Sequence, residues 1–370
     1  MPAIQGLLLG TVGAWSALTL LVSGPCAAQT HESLPCVSAT RVCSEWVALG
    51  GGPARAMVYR TVSLGARNPG VRRALIMVHG ALRNPEHYFE TATAAAFLAG
   101  ALDDTVVIAP AFRSSEGGDC QDQLLPNEVS WSCHGDSWRS GGAAAGDPGV
   151  SAFDFLDEIL RKLADREVFP NLATIVVAGH SAGAQFVSRY QMANRVHDTL
   201  GTTVQYVIAN PSSYAWPDAT RVVPIDDADA SNAAEGWKSE APHTNFRYGS
   251  FDSSRAPKYD QWPYGLESRT RGYTAKTSDD QLRKQLTSRT ATYLLSQVDT
   301  LPLSGFDDSP EAMAQGPTRR ARGEAFVKYL RERWGAANST VLIVPACGHN
   351  SRCVFTSEIV LPVLFPAMGK

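Results

Sequence analysis

The sequence lacks an excess of basic residues. Its 370 residues include 33 Lys plus Arg against 36 Asp plus Glu, a formal net charge of −3. Binding to nucleic-acid phosphates normally needs a positive excess, so we expect no nucleic-acid partner. Charged residues make up 19% of the chain and hydrophobic residues 44%, with 31 Gly and 22 Pro. This mixture excludes both a disordered chain and a collagen-like one.

The seven cysteines include no Cys-x-x-Cys pair, the spacing typical of many zinc sites. Six cysteines follow residue 28, and an even number favours disulfides outside the cell. Six cysteines allow 15 connectivities. We expect the pairs that close short local loops, with separate thiols or a zinc site as the alternative. These pairs are Cys36 with Cys43, Cys120 with Cys133, and Cys347 with Cys353.

A mostly apolar run at residues 7–22 is followed by small residues around Ala28. This order is typical of a secretory leader, so we predict a signal peptide at residues 1–28 and a secreted or periplasmic protein. We expect no stable membrane insertion once the leader is cleaved. No Lys or Arg precedes the apolar run, which leaves an uncleaved membrane anchor as an alternative. A lipid on Cys26 is another.

Short apolar runs rich in Val and Ile predict strands that are buried on both faces of a mainly parallel sheet. Apolar residues at helical spacing predict helices between them, and Asp147 is the predicted N-cap of one. The predicted fold class is therefore α/β, with helices on both faces of the sheet and one or two antiparallel edge strands, such as residues 56–63. The strands are predicted at residues 74–78, 105–109, 174–178, 204–209, 292–295 and 340–344. The helices are predicted at residues 86–99, 150–164, 181–195, 318–334 and 353–365.

Residues 212–288 interrupt this alternation with Pro, Asp, Ser, Trp and Tyr and no sustained apolar period. An irregular loop of that length is improbable inside a compact domain. We therefore predict a cap-like insertion at residues 212–288 within one catalytic domain that spans residues 29–370.

The segment Gly-His-Ser-Ala-Gly at residues 179–183 joins a predicted strand to a predicted helix. Glycine on either side of Ser181 permits a tight turn that presents the serine hydroxyl above the sheet. We predict that Ser181 is a nucleophile, the alternative being a serine that only caps the helix. A serine nucleophile needs a general base, and the base needs a carboxylate to orient it.

Of the histidines after Ser181, only His349 follows the last predicted strand directly, so we predict that it is the general base. Asp299 follows the preceding strand and is the predicted acid, with Asp307 and Asp308 as alternatives.

Attack on a carbonyl creates an oxyanion, which needs backbone N–H donors. We predict one donor at Ala182, directly after the nucleophile, and a second at Ala81 or Leu82 in the loop after the strand at residues 74–78. His79, in the same loop, is expected to brace it.

These residues resemble the α/β-hydrolase superfamily in their order: His79-Gly80, the turn at residues 179–183, Asp299 and His349. The resemblance spans approximately residues 55–368 and is greatest to secreted esterases, including polyhydroxyalkanoate depolymerase and feruloyl esterase relatives. It implies a Ser–His–Asp hydrolase that forms an acyl-enzyme and needs no metal or other cofactor. The expected substrate is a small-molecule or polymeric carboxylic ester. Amide or peptide cleavage by the same triad, and a non-catalytic binding module on this scaffold, are the alternatives.

Further loop residues are candidates for supporting roles. A disulfide between Cys347 and Cys353 would bracket His349 and restrict its backbone. Tryptophans above the sheet edge are candidates for walls of a substrate pocket, with core packing as the alternative. They are Trp131, Trp138, Trp216 and Trp262. The acidic residues Asp119, Asp122 and Asp136 do not match an EF-hand loop, so we expect solvated turns and predict no metal site.

Overall fold

The computed structural model describes residues 35–134, 137–224, 246–269, 272–302 and 305–367. The predicted signal peptide at residues 1–28, together with Cys26, lies outside the described residues. No helix among the described residues is long and apolar enough to cross a membrane.

The described residues contain strands that match all six predicted apolar runs. The strands are β1 (Ser44–Ala48), β2 (Arg55–Arg60), β3 (Arg73–Val78), β4 (Thr105–Pro110), β5 (Ala143–Ala144), β6 (Asp147–Ser151), β7 (Thr174–His180), β8 (Thr203–Ala209), β9 (Thr220–Pro224), β10 (Phe246–Ser250), β11 (Ala291–Ser296) and β12 (Ser339–Val344).

One eight-stranded sheet has the order β1-β2-β4-β3-β7-β8-β11-β12. From β4 to β12 all neighbouring strands are parallel, whereas β1 and β2 join antiparallel at one edge, as predicted. The predicted fold class, α/β with a mainly parallel central sheet, is confirmed.

The helices are α1 (Pro85–Leu98), α2 (Ala152–Ala164), α3 (Ala182–Ala193), α4 (Asp279–Ser288), α5 (Pro310–Met313), α6 (Arg319–Trp334), α7 (Ser351–Phe355) and α8 (Leu361–Leu364). The N-cap predicted for α2 is wrong. Asp147 lies in β6, and Ser151 caps α2 in a reciprocal capping box with Asp154. The helix predicted at residues 353–365 is two short helices, the second of which has Pro362 in its first turn.

Helices cover both faces of the sheet, and the strand side chains alternate between them. Ile76 and Val78 belong to one hydrophobic core, which includes side chains of α2, α3 and α6. Leu75 and Met77 belong to the other, with side chains of α1, α7 and α8. Burial on both faces explains why the sequences of these strands are continuous apolar runs.

The described part of the predicted insertion contains the antiparallel pair β9–β10 and the helix α4. α4 packs on α3, where the Gln191 side chain donates a hydrogen bond to the Leu286 carbonyl (3.1 Å). This helix therefore belongs to the layer that covers the sheet.

Disulfides join the three local cysteine pairs, as predicted. Their sequence separations are 7 for Cys36–Cys43, 13 for Cys120–Cys133 and 6 for Cys347–Cys353.

Candidate active site

Ser181 occupies a strained turn between β7 and α3. Its φ of 58° and ψ of −121° are rare for a residue with a side chain, and such conformations cost about 1–3 kcal/mol. The chain packs tightly around this turn: a Cβ at Gly179 would overlap the Gly183 backbone, and one at Gly183 would overlap the Val78 carbonyl. The Ser181 amide donates to the Ala209 carbonyl at the end of β8 (3.0 Å). Both glycines are therefore required by close backbone contacts.

Asp299 and His349 meet in the loops after β11 and β12. The His349 Nδ1 lies 2.7 Å from the Asp299 Oδ2. The parallel pairing of β11 with β12 brings the two loops together, and the Val298 amide donates to the Cys347 carbonyl (3.0 Å). The Asp299 side chain is 1% exposed and the His349 side chain 13%. A buried carboxylate thus orients a histidine that solvent still reaches.

The alternative acids, Asp307 and Asp308, lie in different surroundings from Asp299. The carboxylate of Asp307 accepts hydrogen bonds from the Tyr264 hydroxyl (3.0 Å) and the Ser309 hydroxyl (2.7 Å). Asp308 is exposed. Of the three candidate acids, Asp299 is the one that contacts His349.

The loops after β3, β7 and β12 converge at the same edge of the sheet. The ring of His180, adjacent to Ser181, lies 4.5 Å from the ring of His349 between centroids. On the other side of the turn, a Cβ at Gly80 would lie 3.7 Å from the Ser181 Cβ. Ser181 therefore lies between the loop that carries His349 and the loop predicted to hold an oxyanion.

The loop after β3 forms a turn closed by the Arg83 amide, which donates to the Gly80 carbonyl (3.1 Å). Ala81 and Leu82 occupy its centre. Among the described residues, the backbone N–H groups of Ala81, Leu82 and Ala182 donate no hydrogen bond to the protein. The Arg83 side chain anchors the turn on the Asp122 carboxylate (3.1 Å).

His79 braces this loop with both ring nitrogens, as predicted. Its Nδ1 is 2.9 Å from the Gly80 carbonyl, and its Nε2 accepts from the Phe112 amide (3.0 Å). Burial lowers the pKa of His79 to about 4. His79 is therefore neutral near pH 7, with its proton on Nδ1.

Two polar side chains beside the site were not found from the sequence. The Tyr88 hydroxyl on α1 lies 3.3 Å from the His180 Nδ1, and the buried His180 Nε2 has no hydrogen-bond partner in the part of the chain that the structure describes. Burial, followed by the influence of His349, holds the pKa of His180 well below its usual value. His180 lies within the motif at residues 179–183, but no short motif marks Tyr88, because it reaches His180 only through the packing of α1.

Arg319 was also missed. It is the first residue of α6, and its Nη1 lies 3.4 Å from the Asp299 Oδ1. The available signal was a helix that begins with Arg319 and Arg320 and has no acidic residue in its first turn. Helix N-termini favour the opposite charge.

The structure corrects the assignment of three tryptophans to a substrate pocket. Trp131 and Trp138 are 0% and 2% exposed and stack on Phe155 and Phe112, respectively. Trp216, also 0% exposed, packs on Tyr329. Large aromatic side chains gain more by filling the core than by facing solvent. Trp262 is partly exposed, and its indole N–H donates to the Ser140 carbonyl (3.0 Å).

The acidic residues considered for calcium have protein partners where they are described. The Asp122 carboxylate accepts from the Ser114 amide (2.8 Å) as well as from Arg83, and the Asp119 carbonyl accepts from Arg83 (2.6 Å). Asp136 lies outside the described residues. Cys120, Cys133 and His134 lie close enough together to suggest metal ligands, but both sulfurs belong to a disulfide.

Similar solved structures show the same fold. The LpqC poly(3-hydroxybutyrate) depolymerase from Bordetella parapertussis is 18% identical, covers 85% of each chain and has a TM-score of 0.56. Poly(aspartic acid) hydrolase-1 from Sphingomonas sp. KT-1 is 20% identical, covers 87% of this chain and 97% of its own, and has a TM-score of 0.55. A comparison with curated proteins finds no match. The Alpha/beta hydrolase family matches residues 75–358, more than half of the sequence, and the chain belongs to that family.

Proposed function

We propose that this hydrolase cleaves carboxylic esters, with Ser181 as nucleophile, His349 as general base and Asp299 as the acid that orients the base. The observation that carries the proposal is the 2.7 Å contact between the His349 Nδ1 and the Asp299 Oδ2, at the sheet edge where Ser181 occupies its strained turn. This contact keeps a proton on Nδ1, so Nε2 can take the proton of the Ser181 hydroxyl.

In the proposed reaction, the Ser181 oxygen attacks the ester carbonyl while its proton moves to His349. The negative oxygen that forms accepts hydrogen bonds from the Ala182 amide and from the amide of Ala81 or Leu82. The tetrahedral intermediate then collapses, and His349 gives its proton to the leaving alcohol. Water attacks the acyl-enzyme with His349 again acting as base, which releases the acid and restores Ser181. Protein groups and water supply every step, so the proposal includes no metal or other cofactor.

The substrate is proposed to be a small-molecule or polymeric ester. By their names, one similar structure acts on a polyester and the other on a polymer of aspartic acid. Amide cleavage by the same triad is therefore the competing outcome. Nitrophenyl esters of graded acyl length and peptide anilides should be compared on the purified chain, and ester turnover should be the faster.

Ser181→Ala should lower kcat for ester hydrolysis by several orders of magnitude without loss of the fold, because the variant lacks the attacking oxygen. Ser115→Ala, at an exposed serine in another loop, is the matched control and should retain wild-type turnover. Circular dichroism would check that both variants fold. Comparable ester turnover in Ser181→Ala and wild type would overturn the proposed function.

We further propose that the protein is secreted or periplasmic. The three disulfides support this location, because such bonds persist in oxidising compartments. A chain recovered from the cytosol with reduced cysteines would contradict it.

A further inference from the structure

A buried arginine lies behind the acid and base, and the proposed mechanism does not use it. The Arg319 side chain is 0% exposed and the Asp299 side chain 1%. The Arg319 Nη1 lies 3.4 Å from the Asp299 Oδ1, while the other carboxylate oxygen, Oδ2, contacts His349 at 2.7 Å. The carboxylate therefore lies between a guanidinium and an imidazole.

We propose that Arg319 is a positioning residue, which holds the Asp299 carboxylate so that its second oxygen accepts from His349. This inference rests on the proposed hydrolase function and adds a residue to it.

The position of Arg319 in α6 is electrostatically unfavourable by itself. The helix N-terminus carries a partial positive charge that disfavours cations in the first turn. Removing a guanidinium from water adds a desolvation penalty, which a single buried partner offsets only with good geometry and further hydrogen bonds. Asp299 supplies the opposite charge at this location. The pairing therefore accounts for a charged side chain where an apolar residue would otherwise be preferred.

Other contacts fix the orientation of the guanidinium. The Arg319 Nε donates to the Ser212 hydroxyl (2.9 Å), which in turn donates to the Gly305 carbonyl (3.2 Å). The Phe306 ring lies 5.2 Å from the guanidinium carbon, within reach of a cation–π contact. Because a guanidinium is a planar fork, one side chain can hold Ser212 and Asp299 together, which a lysine ammonium does less well.

The other charged or titratable groups around the pair come from several elements. His180 faces His349 from the end of β7, and its low pKa keeps it neutral near pH 7. On α1, the His87 ring contacts the Ser351 hydroxyl, and the Tyr88 hydroxyl contacts the His180 ring. Tyr214 lies near Asp299 after β8, and its pKa is raised by burial. Asp307 acts electrostatically on Arg319, and Arg322, one turn further along α6, interacts with both of them. Arg352 on α7 is exposed. Among the described residues, Arg319 is the cation paired with Asp299.

The sign of the effect on His349 follows from these charges. Arg319→Gln removes a positive charge from behind Asp299. A nearby positive charge disfavours the protonated form of a base, so its removal favours that form. The acid limb of the pH–activity profile should then move to higher pH.

The test compares Arg319→Gln and Arg319→Lys with wild type in ester hydrolysis from pH 5 to 9. Arg319→Gln should lower kcat by on the order of tenfold to a hundredfold, with little change in KM, because the base loses its fixed orientation. The acid limb of the pH dependence of kcat/KM should shift to higher pH by about one unit. Arg319→Lys restores the charge without the fork, so its acid limb should stay near that of wild type while kcat still falls.

Arg320→Gln is the matched control. Arg320 lies in the same helical turn and contacts the Gln297 carbonyl (2.8 Å) and Glu324 (2.9 Å). Its loss removes a positive charge that does not contact Asp299, so the acid limb should not move.

A wild-type acid limb in Arg319→Gln would overturn the inference and leave the proposed function standing. If Arg319→Gln does not fold, the kcat of Arg319→Lys tests the inference instead. A wild-type kcat in Arg319→Lys would exclude a role for the guanidinium fork. A wild-type chain without ester hydrolysis would instead overturn the function, and with it this inference.

Discussion

Burial distinguishes the histidines around Ser181 from one another. His79 uses both ring nitrogens to hold the loop after β3, and His180 is enclosed with a strongly lowered pKa. His349 is partly exposed, and its Nδ1 contacts the Asp299 carboxylate. These surroundings favour His349 as the proton acceptor and leave the other two as neutral, supporting side chains.

The buried state of His79 predicts a loss of stability in acid. Its pKa is about 4 in the folded protein because of burial, against about 6.5 in an unfolded chain. Between these values the unfolded chain binds the additional proton. The contribution of His79 is therefore complete above about pH 6.5 and is lost as the pH falls towards 4, by about 1.4 kcal/mol per pH unit.

Denaturant unfolding of wild type and His79→Gln at several pH values would measure this effect. The free energy of unfolding of the variant should be lower at pH 7 but should fall less steeply between pH 6.5 and 4. Asp157 acts in the opposite direction, because burial raises its pKa to about 6, but it is present in both proteins and cancels in the comparison. Equal slopes would show that His79 does not titrate as described.

The sequence predicted the positions of some side chains better than those of others. Ser181, Asp299 and His349 were predicted together because each follows a strand whose apolar residues are easy to recognise, and the structure places Asp299 in contact with His349. The burial of Trp131, Trp138 and Trp216 could not be read from their loop positions, since it depends on contacts with distant aromatic rings. Arg319 was missed because its position also depends on a distant partner: Arg319 begins α6, whereas Asp299 lies in the loop after β11.

The predicted strands were accurate because burial on both faces leaves a continuous apolar run. Helix limits were less accurate, since they depend on local contacts that periodicity does not reveal. Val150 fits the apolar stripe of α2 but belongs to β6, and the helix begins at Ala152 after its N-cap Ser151. Similarly, the helix predicted at residues 353–365 ignores the interruption between α7 and α8.

The disulfide between Cys347 and Cys353 closes the short loop that carries His349. Replacing both cysteines by serine should lower the free energy of unfolding by about 2 kcal/mol, because the unfolded chain regains the entropy of the open loop. It should also lower kcat for ester hydrolysis, because the backbone at His349 gains freedom. Thermal unfolding and steady-state kinetics would measure the two effects.

The Cys36–Cys43 pair provides a matched control. Its loop is of similar length, with a sequence separation of 7 against 6, but it precedes β1 at the antiparallel edge of the sheet. The corresponding double serine variant should lose similar stability and keep wild-type kcat. Unchanged kcat in both double variants would limit the Cys347–Cys353 bond to a structural role.

The parallel sheet assembles the site from distant parts of the sequence. Strands β3, β7, β11 and β12 all end at one edge, so the loops that follow them meet there. The order of Ser181, Asp299 and His349 along the chain was therefore enough to predict which loops converge. In the described part of residues 212–288, α4 packs on α3 as part of the helical layer. The cap-like insertion stays a prediction.

Covalent labelling with a fluorophosphonate tests whether this assembly activates Ser181. Intact mass spectrometry and peptide mapping should find one label per chain, located on Ser181, with labelling abolished in Ser181→Ala and greatly slowed in His349→Gln. His197→Gln, at a histidine that instead contacts the Tyr206 hydroxyl, should label like wild type. A label on another residue, or equal labelling of wild type and Ser181→Ala, would contradict the assignment of Ser181 as the nucleophile.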